Sequence, residues 1–250
     1  MGYKNYIFDL YGTLVDIESD EHSLKLWKKL AGLYACYGAV YKPKELRKAF
    51  VRMDKEEREK ISARTGTKYP ESRLEIVFWR LLLEAPEGEH TNAQQKGTGR
   101  RSPGRSTWSE FMANAFRVLS RTKLELYPGT IETLQKLREN GCRVFLLSNC
   151  QAIFTRPEIE ILGLTPCFDK MYLSSDFGMM KPDPAFLETL IQEEGLLKEE
   201  TVMVGNELRS DIAIAHSCGV DGILLSPGTP KKERKGNAIY SISDLLTTNL

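Results

Sequence analysis

From residue 128 onward the apolar residues of this chain gather in short runs, and each run halts at a polar residue or a glycine. The run 143–147 stops at Ser148-Asn149, the run 201–204 at Gly205-Asn206, and shorter runs occupy 171–173 and 222–225. Between them the spacing turns helical over 130–140, 153–162, 184–194 and 211–218, with Gly141, Gly195 and Gly219 at the ends of three of these stretches. Short apolar strands that alternate with helices of this size leave few architectures open. They predict a parallel sheet with helices on both faces. The aromatic and β-branched run 3–10, which breaks at Tyr11-Gly12-Thr13, is one more strand of the same kind.

The texture between this first strand and residue 124 is different. Leu24, Trp27, Leu30, Leu33 and Tyr34 recur at helical spacing, and Pro43 opens a second helix carrying Leu46, Ala49, Phe50 and Met53. Further helices are expected over 71–84 and 108–120. The stretch 86–107 is rich in Gly, Ser, Thr, Gln and Arg and nearly free of large apolar groups, so it is expected to be a basic, disordered loop. Its Gly-Thr-Gly-Arg-Arg-Ser-Pro-Gly lacks the Gly-Lys-Ser/Thr of a phosphate-cradling loop. The reading is an α/β fold in which residues 1–15 plus 125–250 form the sheet domain and residues 16–124 an inserted all-helical domain.

Composition excludes several partners. Lys and Arg number 35 against 34 Asp and Glu, a net charge of +1, so no global field draws the chain to nucleic acid or an anionic membrane. No apolar run approaches the roughly 20 residues of a membrane span. Asp9 comes before any signal-peptide core, and the residues after Gly2 do not match a myristoylation motif. The five cysteines are irregularly spaced, without Cys-x-x-Cys, which fits buried thiols in a reducing compartment. A cytoplasmic protein acting on a small anionic molecule is the expectation; no feature specifies an oligomeric state.

In an open parallel sheet, ligands bind beyond the carboxyl ends of the strands. The first strand delivers Asp9 there, the second Ser148 and Asn149, and the run 201–204 delivers Asn206 with Asp211 just beyond. Lys181 opens the turn Lys181-Pro182-Asp183-Pro184 before a helix. Two carboxylates, a hydroxyl and an ammonium from distant segments are a charge layout for a nucleophilic Asp working on an anion.

These residues also carry a resemblance. Phe8-Asp9-Leu10-Tyr11-Gly12-Thr13-Leu14, Leu147-Ser148-Asn149, Lys181-Pro182-Asp183-Pro184 and Gly205-Asn206 through Asp211 resemble, in order, the four motifs of the haloacid dehalogenase superfamily. The resemblance implies a Rossmann-like core with the helical insert as a mobile cap. It implies Asp9 as nucleophile forming an aspartyl intermediate, with Tyr11 and Lys181 at the catalytic centre. Thr13, Ser148, Asn149 and Lys181 would hold the phosphate, and Asp9, Tyr11, Asn206 and Asp211 would hold Mg²⁺. A carboxylate approaching a phosphate dianion needs such cations to offset repulsion.

Two departures bear on the reaction. Phosphatases of the superfamily usually read Asp-x-Asp, the second Asp protonating the leaving group; here Tyr11 stands in that place, as in the 2-haloacid dehalogenases. Asn206 replaces the usual Asp of the fourth motif and removes one anionic metal ligand. Against dehalogenation, Ala39-Val40-Tyr41 occupies the region where those enzymes carry a halide-binding Arg, with Lys42 and Arg47 the nearest basic groups. The expected function is therefore a Mg-dependent phosphatase on a small phosphorylated metabolite, favouring activated leaving groups. The alternatives are a metal-free carbon–halogen hydrolase and a phospho-ligand binder with weakened catalysis. Of the remaining candidates, Asp183 is read as a helix cap, Asp16 as a helix cap at the domain junction, Cys150 as a buried thiol, and the aromatic set Trp27, Tyr34, Tyr37, Tyr41, Trp79 and Trp108 as cleft lining or helical core.

Overall fold

The computed structural model describes residues 2–86, 103–227 and 238–247. The expected basic loop therefore lies largely outside the described residues. Strand β1 (Asn5–Phe8) is followed by β2 (Val15–Ser19) and by the helices α1 (Leu24–Ala35), α2 (Pro43–Thr65), α3 (Leu74–Leu83) and α4 (Arg105–Ser120). Then come β3 (Arg121–Leu126), α5 (Thr130–Glu139), β4 (Arg143–Ser148) and α6 (Ala152–Ile161). The chain continues through β5 (Lys170–Leu173), the single turn α7 (Ser174–Phe177), α8 (Pro184–Glu194) and β6 (Thr201–Gly205). A π-helical turn (Leu208–Ile212) leads into α9 (Ala213–Cys218), and β7 (Asp221–Leu224) is the last strand.

Five strands form one sheet in the order β5-β4-β1-β6-β7, every pair parallel. Alternation along each strand sorts side chains between the two faces. Tyr6, Phe8, Val144, Leu146, Val202 and Val204 join one apolar cluster, while Ile7, Phe145, Leu147 and Met203 join the other. The sheet is thus buried on both faces, as the uninterrupted apolar runs predict. β1 is central, with β4 on one side and β6 on the other. The carboxyl ends of these three strands are where the order of the sheet switches direction, so the polar residues that follow them converge.

The chain divides into two compact units. One comprises Met1–Ile17, Thr67–Glu71 and Lys123–Leu250; the other comprises Glu18–Gly66 and Ser72–Thr122. The second unit is helical, and its centre is aromatic. The Trp27 ring lies 5.2 Å from Phe50 and 5.9 Å from Phe116, and Phe78 lies 5.5 Å from Phe116. Trp27, Tyr34, Tyr41 and Trp108 are buried, so these four are core residues, whereas Tyr37 is half exposed. The Tyr34 and Tyr41 hydroxyls donate to the Phe78 and Leu81 carbonyls of α3.

Three local features differ from the sequence reading. β2 and β3 pair as a two-stranded sheet where no strands are expected. Their burial is partial, and mixed polar sequence hides any period. Asp16 lies in β2, where it pairs with Lys123 of β3 at 2.5 Å and caps no helix. Residues 67–71 leave the helical unit and join the sheet unit; the Pro70 backbone bridges Met179, and Glu71, read as the start of a helix, is buried there.

Candidate active site

Asp9 directly follows β1, and its backbone N–H donates to the Val204 carbonyl of β6, which anchors it between the central strands. Gly12 takes φ of +81°, and a Cβ there would lie 2.4 Å from Asn206 Nδ2. Only glycine satisfies both conditions at that turn. Gly205 ends β6 equally tightly: a Cβ would stand 2.3 Å from Asp211 Cγ. Both glycines let the polar side chains of one strand end lie against the backbone of another.

The resulting geometry centres on Lys181. Its Nζ is 2.6 Å from Asp9 Oδ1 and 2.6 Å from Asp211 Oδ1, and all three side chains are buried. Ser148 Oγ donates to Asp9 Oδ1 at 3.1 Å. Thr13 Oγ1 is 3.4 Å from Asp9 Oδ2 and donates to Asn206 Oδ1 at 3.1 Å. Asp211 is held in turn by the Glu207 N–H at 3.0 Å and by Ser210 Oγ at 3.2 Å. Burial pushes the Asp9 carboxyl above the usual carboxylate range; Lys181 pulls it back and Asp211 adds to the rise. Burial alone would lower the Lys181 ammonium, but the two carboxylates outweigh it and hold the group above its ordinary value.

The structure thus brings together Asp9, Thr13, Ser148, Lys181, Asn206 and Asp211. Asn149 contributes in a way its sequence context does not reveal. Its side-chain amide donates to the Lys181 carbonyl at 3.0 Å and its Oδ1 accepts from the Lys181 N–H at 2.8 Å, clamping the lysine's backbone. Asp211 belongs to the π-helical turn before α9, not to the start of that helix. Asp183 caps α8, its Oδ1 accepting from the Ala185 N–H at 3.1 Å. Within the helical unit Arg47 is engaged with the His22 carbonyl and ring. Cys150 is buried, and its thiol is pushed up to about 12 by burial, with Asp9 among the groups that add to the rise.

Tyr11 is the residue whose partners were least legible. Its hydroxyl donates to the Glu158 carboxylate and lies 3.1 Å from Thr155 Oγ1, both on α6. Thr155 and Glu158 are three positions apart, on one face of that helix, and both are buried. A second buried carboxylate missed from sequence is Glu71, which accepts from Gln151 Nε2 and Ser174 Oγ, each at 3.1 Å.

Among the described residues, no three His, Cys, Asp or Glu side chains cluster as a metal site. The oxygen donors at hand are the Asp9 and Asp211 carboxylates and the Asn206 amide. Mg²⁺ typically takes one or two carboxylates and completes its shell with other oxygen ligands, so the chemistry of this donor set fits a hard divalent cation.

A doubly covered parallel sheet that gathers two carboxylates and an ammonium beyond its central strands defines an α/β fold with a buried, charged site. Residues 3–219 match the haloacid dehalogenase-like hydrolase family, and the chain belongs to that family. It is similar to the ribulose-1,5-bisphosphate 5-phosphatase of Halopiger xanaduensis, with 28% identity over 62% of this chain and 59% of that protein. It is also similar to the glyceraldehyde 3-phosphate phosphatase of Methanocaldococcus jannaschii, with 32% identity over 49% of this chain and 54% of the relative. The chain thus spans little more than half the length of these curated relatives. The 2-haloacid dehalogenase of Pseudomonas syringae pv. Tomato DC3000 superposes with a TM-score of 0.62 at 20% identity, covering 98% of each chain. At that identity the likeness speaks for the fold alone. No helix among the described residues is long and apolar enough to cross a membrane.

Proposed function

We propose that this hydrolase is a phosphatase acting on a small phosphorylated metabolite, with Asp9 as the nucleophile. The observation that carries this reading is the single Lys181 ammonium held 2.6 Å from both buried carboxylates. It opposes the burial and the Asp211 charge that raise the Asp9 carboxyl, and it supplies positive charge where a phosphate dianion must approach a carboxylate. The similarity to two proteins named as phosphatases supports the same class.

In the proposed reaction an Asp9 carboxylate oxygen attacks phosphorus, forming an aspartyl phosphate while the bond to the leaving oxygen breaks. Water then attacks that phosphorus, releasing inorganic phosphate and regenerating the Asp9 carboxylate. Lys181 and Ser148 hold Asp9 in place, and Ser148, Thr13 and the Asn149 N–H offer donors to the phosphoryl oxygens. Asp9, Asp211, Asn206 and the Tyr11 carbonyl would hold Mg²⁺, which when bound supplies further charge neutralisation at the phosphate. Because Tyr11 stands in place of the usual acid, the reaction favours leaving groups that depart unprotonated, such as acyl or aryl phosphates. The helical unit is read as the cap and the cytoplasm as the compartment, which agrees with the buried thiols of Cys150, Cys167 and Cys218.

Turnover of acetyl phosphate and p-nitrophenyl phosphate, with Mg²⁺ and with EDTA, tests this reading. Mg-dependent phosphate release that disappears in Asp9→Asn is expected. Halide release from 2-chloropropionate, without phosphate release from either phosphorylated compound, would instead assign the dehalogenase chemistry. The engagement of Arg47 with His22 argues against that second reading, because it occupies the arginine nearest to the region 39–41 where those enzymes carry a halide-binding one.

A further inference from the structure

Thr67–Glu71 belongs to the sheet unit, although the residues on either side of it belong to the helical unit. This short strap pairs with the segment that delivers Lys181. The Glu71 N–H donates to the Gly178 carbonyl at 3.2 Å, Pro70 forms an antiparallel bridge with Met179, and the Met180 N–H donates to the Tyr69 carbonyl at 3.0 Å. Beyond Lys181, the Thr67 hydroxyl donates to the Asp183 carboxylate. The strap thus holds the chain on both sides of Lys181, while the lysine itself reaches Asp9 and Asp211. Glu71 anchors one end of it. This side chain is only 5% exposed, and a carboxylate so buried is costly unless donors meet it. Gln151 Nε2 donates to its Oε1 and Ser174 Oγ to its Oε2, each at 3.1 Å. The two donors come from different strand ends. Gln151 follows β4, three residues beyond Ser148, and Ser174 directly follows β5 on the way to Lys181. Ser174 Oγ also accepts from the Cys150 N–H at 2.8 Å. Glu71 therefore joins the segment that carries Ser148 and Asn149 to the segment that carries Lys181, the same two that the Asn149 clamp joins.

We propose that Glu71 is a positioning residue for Lys181: by pinning the strap to both strand ends, it fixes the backbone from which the ammonium reaches Asp9 and Asp211. This inference rests on the phosphatase reading above for the chemistry that Lys181 serves, and adds the residue that sets where the ammonium stands. Glu71 acts through hydrogen bonds, and no covalent bond to it changes during turnover.

The test reads two quantities in the full chain: amide hydrogen exchange, and kcat/KM for acetyl phosphate with Mg²⁺. In Glu71→Ala, exchange is expected to rise at Met180 and Lys181 while β1, β4 and β6 stay protected, since local opening is reported amide by amide. The same variant should lose about 10- to 100-fold in kcat/KM, the reach of a displacement of about 1 Å at a reacting site. Glu71→Gln should restore both readouts. Its carbonyl can accept from Gln151 and its amide can donate to Ser174 Oγ, because the single Ser174 proton can turn to the Cys150 carbonyl 3.1 Å away. Should Glu71→Ala not fold, Thr67→Val loosens the other end of the strap and carries the same two expectations. Exchange that rises throughout the sheet would mark a merely structural role and overturn the proposal. Wild-type kcat/KM despite local opening, or a fall in kcat/KM with those two amides still protected, overturns it too. So does a Glu71→Gln variant as impaired as Glu71→Ala, since charge and not the tether would then matter. Failure of the wild-type protein to release phosphate would instead overturn the phosphatase reading, and the exchange readout, which needs no substrate, would still decide whether Glu71 holds the Lys181 segment.

Discussion

At the residue scale, the site is a balance of three buried charges. Lys181 offsets Asp9 and Asp211 at 2.6 Å each, and no second cationic side chain is found within salt-bridge distance of either carboxylate among the described residues. Removing one partner of a buried ion pair leaves an uncompensated charge and typically costs about 3–5 kcal/mol. Lys181→Met is therefore expected to lower unfolding free energy by about that amount in urea denaturation, and Asp211→Asn on the same background should recover part of it. A full-stability Lys181→Met would contradict the charge balance. Gly205→Ala is the second residue-scale prediction. The added methyl would stand 2.3 Å from Asp211 Cγ, so Asp211 must leave Lys181. A large fall in turnover is expected with secondary structure intact by circular dichroism; wild-type turnover would show that Asp211 is dispensable. Asp9, Ser148, Lys181 and Asp211 were legible because each stands at a strand end or just before a helix. The partners of Tyr11 and the clamp formed by the Asn149 side chain were not, because they depend on which helix face returns to the sheet, and local sequence does not encode that.

At the element scale, α3 of the helical unit is tied to its neighbours by buried phenols. Tyr34 donates to the Phe78 carbonyl, and burial holds its hydroxyl well above the ordinary tyrosine range. Tyr41 donates to the Leu81 carbonyl and is pushed up to about 12, again mainly by burial. Both folded-state values exceed the unfolded value near 10. Their contribution to stability is thus fully present below about pH 10 and is lost as pH rises beyond it, because the unfolded chain ionises first. Tyr34→Phe should cost about 1 kcal/mol at pH 7 from the lost hydrogen bond, yet show a shallower fall in stability between pH 10 and 12. An unchanged alkaline slope would contradict the burial of Tyr34. Elements with strong periodicity were legible: β1, β4 and β6 by their apolar runs, and α1, α2 and α4 by their apolar faces. The β2–β3 pair was not, since Val15–Ser19 and Arg121–Leu126 are half-exposed strands with polar side chains on both sides. Residues 67–71 were misread for a related reason. They carry no period of their own, and their backbone is satisfied by the Gly178–Met180 segment.

At the scale of the whole molecule, every residue proposed to take part in the reaction belongs to the sheet unit, although that unit is assembled from three separate stretches of chain. The parallel order β5-β4-β1-β6-β7 brings the ends of β1, β4 and β6 together before any side chain is considered. Family membership follows from that arrangement and from the match over residues 3–219, while the reaction follows from which charges stand there. The central claim is that Asp9 is covalently modified during turnover. It is tested most directly by running multiple turnovers of acetyl phosphate in ¹⁸O-labelled water with Mg²⁺ and measuring the mass of the peptide that contains Asp9. Water that attacks phosphorus leaves Asp9 with its own oxygens and places the label in inorganic phosphate. The aspartyl phosphate is therefore sought in the same sample, quenched in acid during turnover. The account predicts a phosphate adduct on that peptide in the quenched sample, absent in Asp9→Asn, with ¹⁸O in the released phosphate and none in Asp9. Label entering the Asp9 carboxylate, or turnover with no adduct at any quench time, would contradict it.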